Sequence, residues 1–288
     1  GKARLQTRGC EMKALPKMGF AIPEEGSGEL SEVAQRQLET LAPDHLRVDL
    51  RMGQSDWQER LKRAVGIAEQ VGASLELAVF GTDRAREEWR QLVELVDACS
   101  VDVSRWLVFH EREKSTSAKW VAIARECIQL QFAEPAPVVT GTDAFFTELN
   151  RERPAGTEHD AVCFSINPQV HAFDNRSLIE TLAMQGLCAR NAASFSGKPV
   201  CVSPVTFKMR WNPNASGDSS LSEDQQHDKR LREPFGVVWA LGSVKYLAEA
   251  GVESVTYFET HGKNGVFETL ESGHPEDSEE AINTIADL

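Results

Sequence analysis

The polar, reactive side chains of this chain gather directly after short β-branched runs, most densely between Val138 and Asp174. There the run ending at Thr140 gives way to Asp143, Glu148 and Asn150, and the run Ala161 to Ile166 gives way to Asn167, Gln169 and His171. Other runs end in the same manner, with Asp49 and Arg51, with His110 and Glu111, and with Glu259 and His261. In parallel α/β proteins the residues just past the carboxyl ends of strands face the ligand, so this inventory points to a site. Carboxylates serve as general bases or nucleophiles, while Arg, Asn and His stabilise an oxyanion or bind sugar hydroxyls. Hydrolysis at a carbonyl or anomeric carbon uses both kinds. Redox chemistry would need a cofactor motif, and none is visible, so no cofactor is expected. The histidines show neither HxH nor HExxH spacing, so no metal is expected. Ser203, followed by Pro204, lies outside a GxSxG elbow and is not read as a nucleophile.

The elements that must position these residues alternate along the chain. Strand-like runs are Lys17 to Ile22, His45 to Arg51, Ser74 to Phe80, Arg105 to Phe109, Pro137 to Thr140, Ala161 to Ile166, Pro199 to Ser203 and Glu253 to Phe258. Between them stand amphipathic segments, such as the one opened by Asp56, with Trp57, Leu61, Ala64, Val65 and Ala68 at helical spacing and a stop at Gly72. The TELNR segment is cut short by Pro154 and predicts only a helical turn or two, and a single helix is expected over Asn175 to Ala193. Met209 to Glu233 has no apolar periodicity and is expected to be a mobile crossing over the rim, and a final polar helix is expected from about Asp277. Eight strand and helix units predict a single (β/α)8 TIM-type barrel of parallel strands over residues 1–288. A doubly wound sheet is the runner-up, but the first βα turn, AIPEEGSGE, lacks GxGxxG.

Side-chain parity fits closure. In the second strand Val48 and Leu50 should face the helices, which turns Arg47, Asp49 and Arg51 into the barrel, where charges must be paired. Asp49 and Arg51 are then either a structural ion pair or substrate contacts. In the sixth strand the small Ala161, Cys163 and Ser165 point inward.

Composition bounds the partners. A net charge of -13 disfavours nucleic acid and anionic membrane surfaces, and a small carbohydrate-derived substrate is easier to accommodate. No apolar run approaches the length of a spanning helix, and a cytoplasmic setting is expected. The six cysteines form no CxxC pair and are read as free thiols in a reducing compartment. The chain starts without Met, which suggests a domain cut from a longer polypeptide.

The stretches GTDAFFTELNRERP (141–154), SINPQVHAFD (165–174), VSPVTFKMRWNPNA (202–215), FGVVWALGSVKYLAEAG (235–251) and TYFETHG (256–262) resemble the TIM barrel of the D-apionate lactonase family. That resemblance implies hydrolysis of a sugar-acid lactone in apiose catabolism, and β-rich domains flanking the barrel. The matching motifs carry Asp143, Glu148 and Asn150, then Asn167, Gln169 and His171, then Arg210 and Asn212, then Glu259 and His261. Lactone opening needs a water deprotonated as it attacks, donors for the carbonyl oxygen and an acid for the leaving alkoxide. Glu259 is favoured as base because it ends a strand, with Glu148 as alternative base or substrate contact, His171 as acid, and Asn167 and Arg51 as donors. Two other readings compete. One is a glycoside hydrolase with Glu148 and Glu259 as its carboxylate pair; the other is a non-catalytic carbohydrate-binding barrel, which the scarcity of aromatics for sugar stacking disfavours.

Overall fold

The computed structural model describes residues 13–24, 30, 32–213, 221–262 and 264–265. Eight parallel strands close in sequence order into a barrel. They are β1 (Lys17–Ala21), β2 (His45–Arg51), β3 (Ser74–Gly81), β4 (Val103–His110), β5 (Val138–Phe145), β6 (Ala161–Ile166), β7 (Val200–Val205) and β8 (Ser254–Phe258). Helices follow the strands: α1 (Glu32–Leu41), α2 (Trp57–Val71), α3 (Ala85–Cys99), α4 (Ala118–Gln131), α5 (Phe146–Arg151), α6 (Asn175–Glu180), α7 (Leu182–Ser196), α8 (Glu223–Gln226) and α9 (Pro234–Ala250). The expected (β/α)8 barrel is thus the observed fold. The helix expected from Asp277 lies outside the described residues.

Each helix is placed by its apolar stripe. In α2, Trp57, Leu61, Ala64, Val65 and Ala68 are buried, and the helix ends at Gly72, whose left-handed φ of 70° turns the next N–H, that of Ala73, back to the Ala68 carbonyl at 3.0 Å. These stripes meet the outward faces of the strands, including Leu46, Val48 and Leu50 of β2 and Leu75, Leu77 and Val79 of β3, in one large core. Emptying such a position, as in Leu61→Ala, typically costs about 2–5 kcal/mol. A second, smaller core fills the barrel itself: Ala78, Phe80, Leu107, Phe109, Val139, Ala161, Cys163 and Cys201. The period-two alternation of strand side chains separates the two sets.

Three boundaries differ from those read from the sequence. β5 runs on to Phe145 through an irregularity between Gly141 and Phe145, so Asp143 lies within the strand rather than past it. At Gly141, with φ of 144°, a Cβ would sit 2.1 Å from the Cys163 carbonyl oxygen, so only glycine fits there. β7 continues beyond Ser203 to Val205. The single helix expected from Asn175 is two, α6 and α7, meeting at Thr181. In the long crossing after β7, the described parts form α8 and a 3-10 turn, Lys229–Arg232, and they pack at the carboxyl rim.

Candidate active site

The barrel's carboxyl half is closed by a ring of ion pairs. Arg47 and Asp49 come from β2, Asp143 comes from β5, and Arg210 reaches in from the segment after β7. Arg47 donates from Nε to Asp49 Oδ1 at 2.6 Å and from Nη2 to Asp143 Oδ1 at 2.7 Å. Arg210 donates from Nη1 to Asp49 Oδ2 at 3.1 Å and from Nη2 to Asp143 Oδ1 at 2.6 Å. Trp211 Nε1 adds a bond to Asp143 Oδ2 at 3.2 Å. Burial alone would raise the Asp49 carboxyl, but Arg47 and Arg210 outweigh it and hold the group well below the ordinary carboxylate range. Burial would also discharge Arg47, and Asp49 and Asp143 keep it charged.

Beneath the ring lies a second polar layer. Arg47 Nη1 donates to Ser203 Oγ at 3.0 Å, and Ser203 in turn donates to Glu76. Glu76 also receives Arg105 Nη1 at 3.0 Å and Thr256 Oγ1 at 2.9 Å. The one hydroxyl proton of Thr256 goes to Glu76, so His45 Nε2, 2.8 Å away, must donate to Thr256. Burial pushes the His45 imidazole down to about 4, against the pull of Glu76, and keeps it neutral. Ser203 is therefore a link between two layers of charge. Cys163 and Cys201 beside them are free, buried thiols, with Cys201 pushed up to about 11 by burial.

The remaining residues singled out in the sequence divide by environment. Asn167 and Glu259 both follow parallel strands at the same rim and are 8% and 9% exposed. Asn167 Oδ1 accepts from the Gln169 N–H at 2.9 Å, while its buried Nδ2 finds no acceptor among the described residues. Glu148 is buried in α5, with Arg151 at 3.8 Å and Oε2 without a donor among the described residues. His261 is buried at the end of β8, 2.8 Å from Thr260 Oγ1, and its imidazole is pushed down to about 4 by burial and by Arg63. Asn150, which accepts from Arg153, is exposed, as are Glu111, His171 and Asn212.

Four expectations change in detail. Asp49 pairs with Arg47 and Arg210 rather than Arg51, because β2 places Arg51 one rung higher, where it binds Glu24 Oε1 at 3.1 Å and lies 4.5 Å over Phe80. Asp143 likewise holds arginines and the Trp211 indole. His110 points away from the mouth: Phe109 takes the inward position of β4, and the His110 ring stacks on Trp120 of α4 at 4.2 Å. Gln169 is a clasp, donating to the Phe207 carbonyl at 2.8 Å and to Asp228 at 3.0 Å and accepting from Arg230 at 3.0 Å. It ties the crossing after β7 to the loop after β6. Arg47 and Trp211 were not singled out for the site. The inward parity of Arg47 was the available signal, whereas Trp211 carries none.

Among the described residues no group of three or more His, Cys, Asp or Glu side chains could hold a metal ion. No helix among them is long and apolar enough to cross a membrane. At low identity the barrel is similar to the endo-1,4-beta-D-mannanase of Thermotoga petrophila RKU-1, with a TM-score of 0.57, 11% identity, and coverage of 96% of this chain and 98% of that one. It is also similar to the cellulose synthase subunit Z of Clostridioides difficile, with a TM-score of 0.58, 10% identity, and coverage of 94% and 98%. Likeness at this identity establishes the fold alone. A D-apionate lactonase of Brucella anthropi is 30% identical over 145 residues, a stretch that spans 47% of this chain but only 23% of that protein's length. Residues 18–287 match the family described as D-apionate lactonase, TIM barrel domain, and the chain belongs to that family.

Proposed function

We propose that this protein is a hydrolase that opens a sugar-acid lactone similar to D-apionolactone. The observation that carries the proposal is the family match across residues 18–287, and the chemistry of the carboxyl rim supports it. Asp49 and Asp143 are each engaged by two arginines. Glu259, directly after β8, serves as the general base for the attacking water, and Glu148 as a substrate contact. Asn167, whose Nδ2 finds no acceptor among the described residues, and Arg51 stabilise the oxyanion as the carbonyl carbon becomes tetrahedral. His171, exposed at the same rim, protonates the leaving alkoxide. Arg210, Asn212 and His261 line the mouth around the sugar hydroxyls.

On the same proposal the protein works in the cytoplasm, where its free thiols stay reduced, and the barrel is the central domain of a longer polypeptide with β-rich flanks. The 23% share of the relative's length is in line with such flanks.

The test is the initial rate of lactone opening by wild type, Glu259→Gln and Glu148→Gln. Gln keeps the size of Glu but cannot accept the proton, so Glu259→Gln should be slower by about 10²-fold or more with the fold intact. A Glu259→Gln enzyme that opens lactones at the wild-type rate would remove Glu259 as the base.

A further inference from the structure

We propose that Arg210 is an anion receptor that binds the carboxylate of a sugar acid, the group that lactone opening creates, at the centre of the barrel mouth. The ligand class rests on the lactonase proposal, and the geometry rests on the ion-pair ring. A guanidinium carries five N–H donors in one plane. Arg210 uses one proton of Nη1 on Asp49 and one of Nη2 on Asp143. Nε–H and the second proton of each terminal nitrogen remain, and among the described residues no other acceptor reaches them. The Phe258 ring lies 5.4 Å from Cζ, and the side chain keeps 9% exposure at the rim.

An arginine fixed in this manner is ready for a carboxylate. Two strand-borne aspartates hold its plane, so binding orders few rotamers. At 9% exposure little water reaches it, and the free edge of the fork matches a carboxylate's two oxygens. Arg47 is the contrast: Nε, Nη1 and Nη2 are all committed to Asp49, Ser203 and Asp143, and it is fully buried. Arg51, on β2 at the same rim and 35% exposed, adds a second positive charge beside the mouth, shared with Glu24. The arrangement favours an aldonate over the uncharged alditol of the same length.

The test is calorimetric titration of wild type, Arg210→Gln and Arg210→Lys with D-ribonate and with ribitol at low salt. Ribonate should bind wild type at least about 10-fold more tightly than ribitol, and Arg210→Gln should lose about 10- to 100-fold of the ribonate affinity but less than about 3-fold of any ribitol affinity, since only the acid presents a charge to the fork. Arg210→Lys, which keeps the cation but not the fork, should fall between them. In Arg210→Ala, added guanidinium ion should restore ribonate binding, because the Asp49 and Asp143 seat remains; a structural lesion would not respond. Equal binding of ribonate and ribitol, no ribonate binding to wild type, or wild-type affinity in Arg210→Gln overturns the proposal. Titration needs no turnover, so failure of the lactonase proposal shows separately, as wild type that opens no lactone.

Discussion

Asp143→Asn tests whether the ring across the barrel is a matched set of charges. The substitution keeps the side chain's shape and one carbonyl-like acceptor, but it removes the charge that faces Arg47 Nη2 at 2.7 Å and Arg210 Nη2 at 2.6 Å. If the amide oxygen stays with the arginines, the amide nitrogen turns toward Trp211 Nε1, so donor meets donor where Asp143 Oδ2 now accepts at 3.2 Å. The ring is left with Arg47 and Arg210 against Asp49 alone, in a site where Asp143 is only 7% exposed. Breaking one side of a buried pair typically costs about 3–5 kcal/mol. In a chain of this size, at about 2–4 °C per kcal/mol, that is a fall in Tm of about 6–20 °C. The assay is a thermal melt beside Asn150→Ala, an exposed control whose partner is Arg153 and which should stay within about 0.5 kcal/mol of wild type. Because Asp143 and Arg210 share a contact, Asp143→Asn with Arg210→Gln should cost less than the two separately by about 1 kcal/mol or more. An Asp143→Asn melt within about 2 °C of wild type would refute the idea that the ring's charges are mutually required.

Acid should weaken the fold through two buried histidines. The folded His45 and His261 both titrate near 4 against an unfolded value of 6.5, so the unfolded chain binds more protons between those values and stability falls as pH drops through that window, by about 2 kcal/mol for each at pH 5; His45→Asn should make that part of the urea-midpoint profile shallower, and an unchanged slope would contradict the assignment. Gly141→Ala should fail to give soluble, folded protein, since its Cβ would collide with the backbone of Cys163 at a φ of 144°; a melt like that of wild type would mean the β5 irregularity is not rigid.

How much of this was legible in the sequence follows from the range of each interaction. Strand and helix runs such as His45 to Arg51 and Asp56 to Gly72 are local patterns, and parity along β2 put Arg47 and Asp49 inside the barrel correctly. The same parity, applied to β4 from the inward Arg105, Leu107 and Phe109, would have turned His110 toward the helices, so that miss was avoidable. The identity of the partners was not available. Asp49 could be matched to Arg51 by sequence proximity, but Arg210, far along the chain in an aperiodic stretch, meets it only because β2, β5 and β7 belong to one closed barrel. Likewise Gln169 looked like a ligand contact because nothing local shows that Asp228 and Arg230 fold back onto it. Asp143 reads as lying past its strand because a glycine directly after a β-branched run has the local signature of a stop, whereas the positive φ of Gly141 bends the strand and carries it on.

The most direct measurement of the central claim is proton release in a pH-stat when wild-type protein meets a panel of aldonolactones, with aryl glycosides assayed alongside for phenol release. Lactone opening generates one carboxylic acid per turnover, so acid release that scales with enzyme on lactones, and no phenol from glycosides, is the predicted result. Phenol released from glycosides with no acid from any lactone would contradict it and favour the Glu148 and Glu259 pair acting at an anomeric carbon.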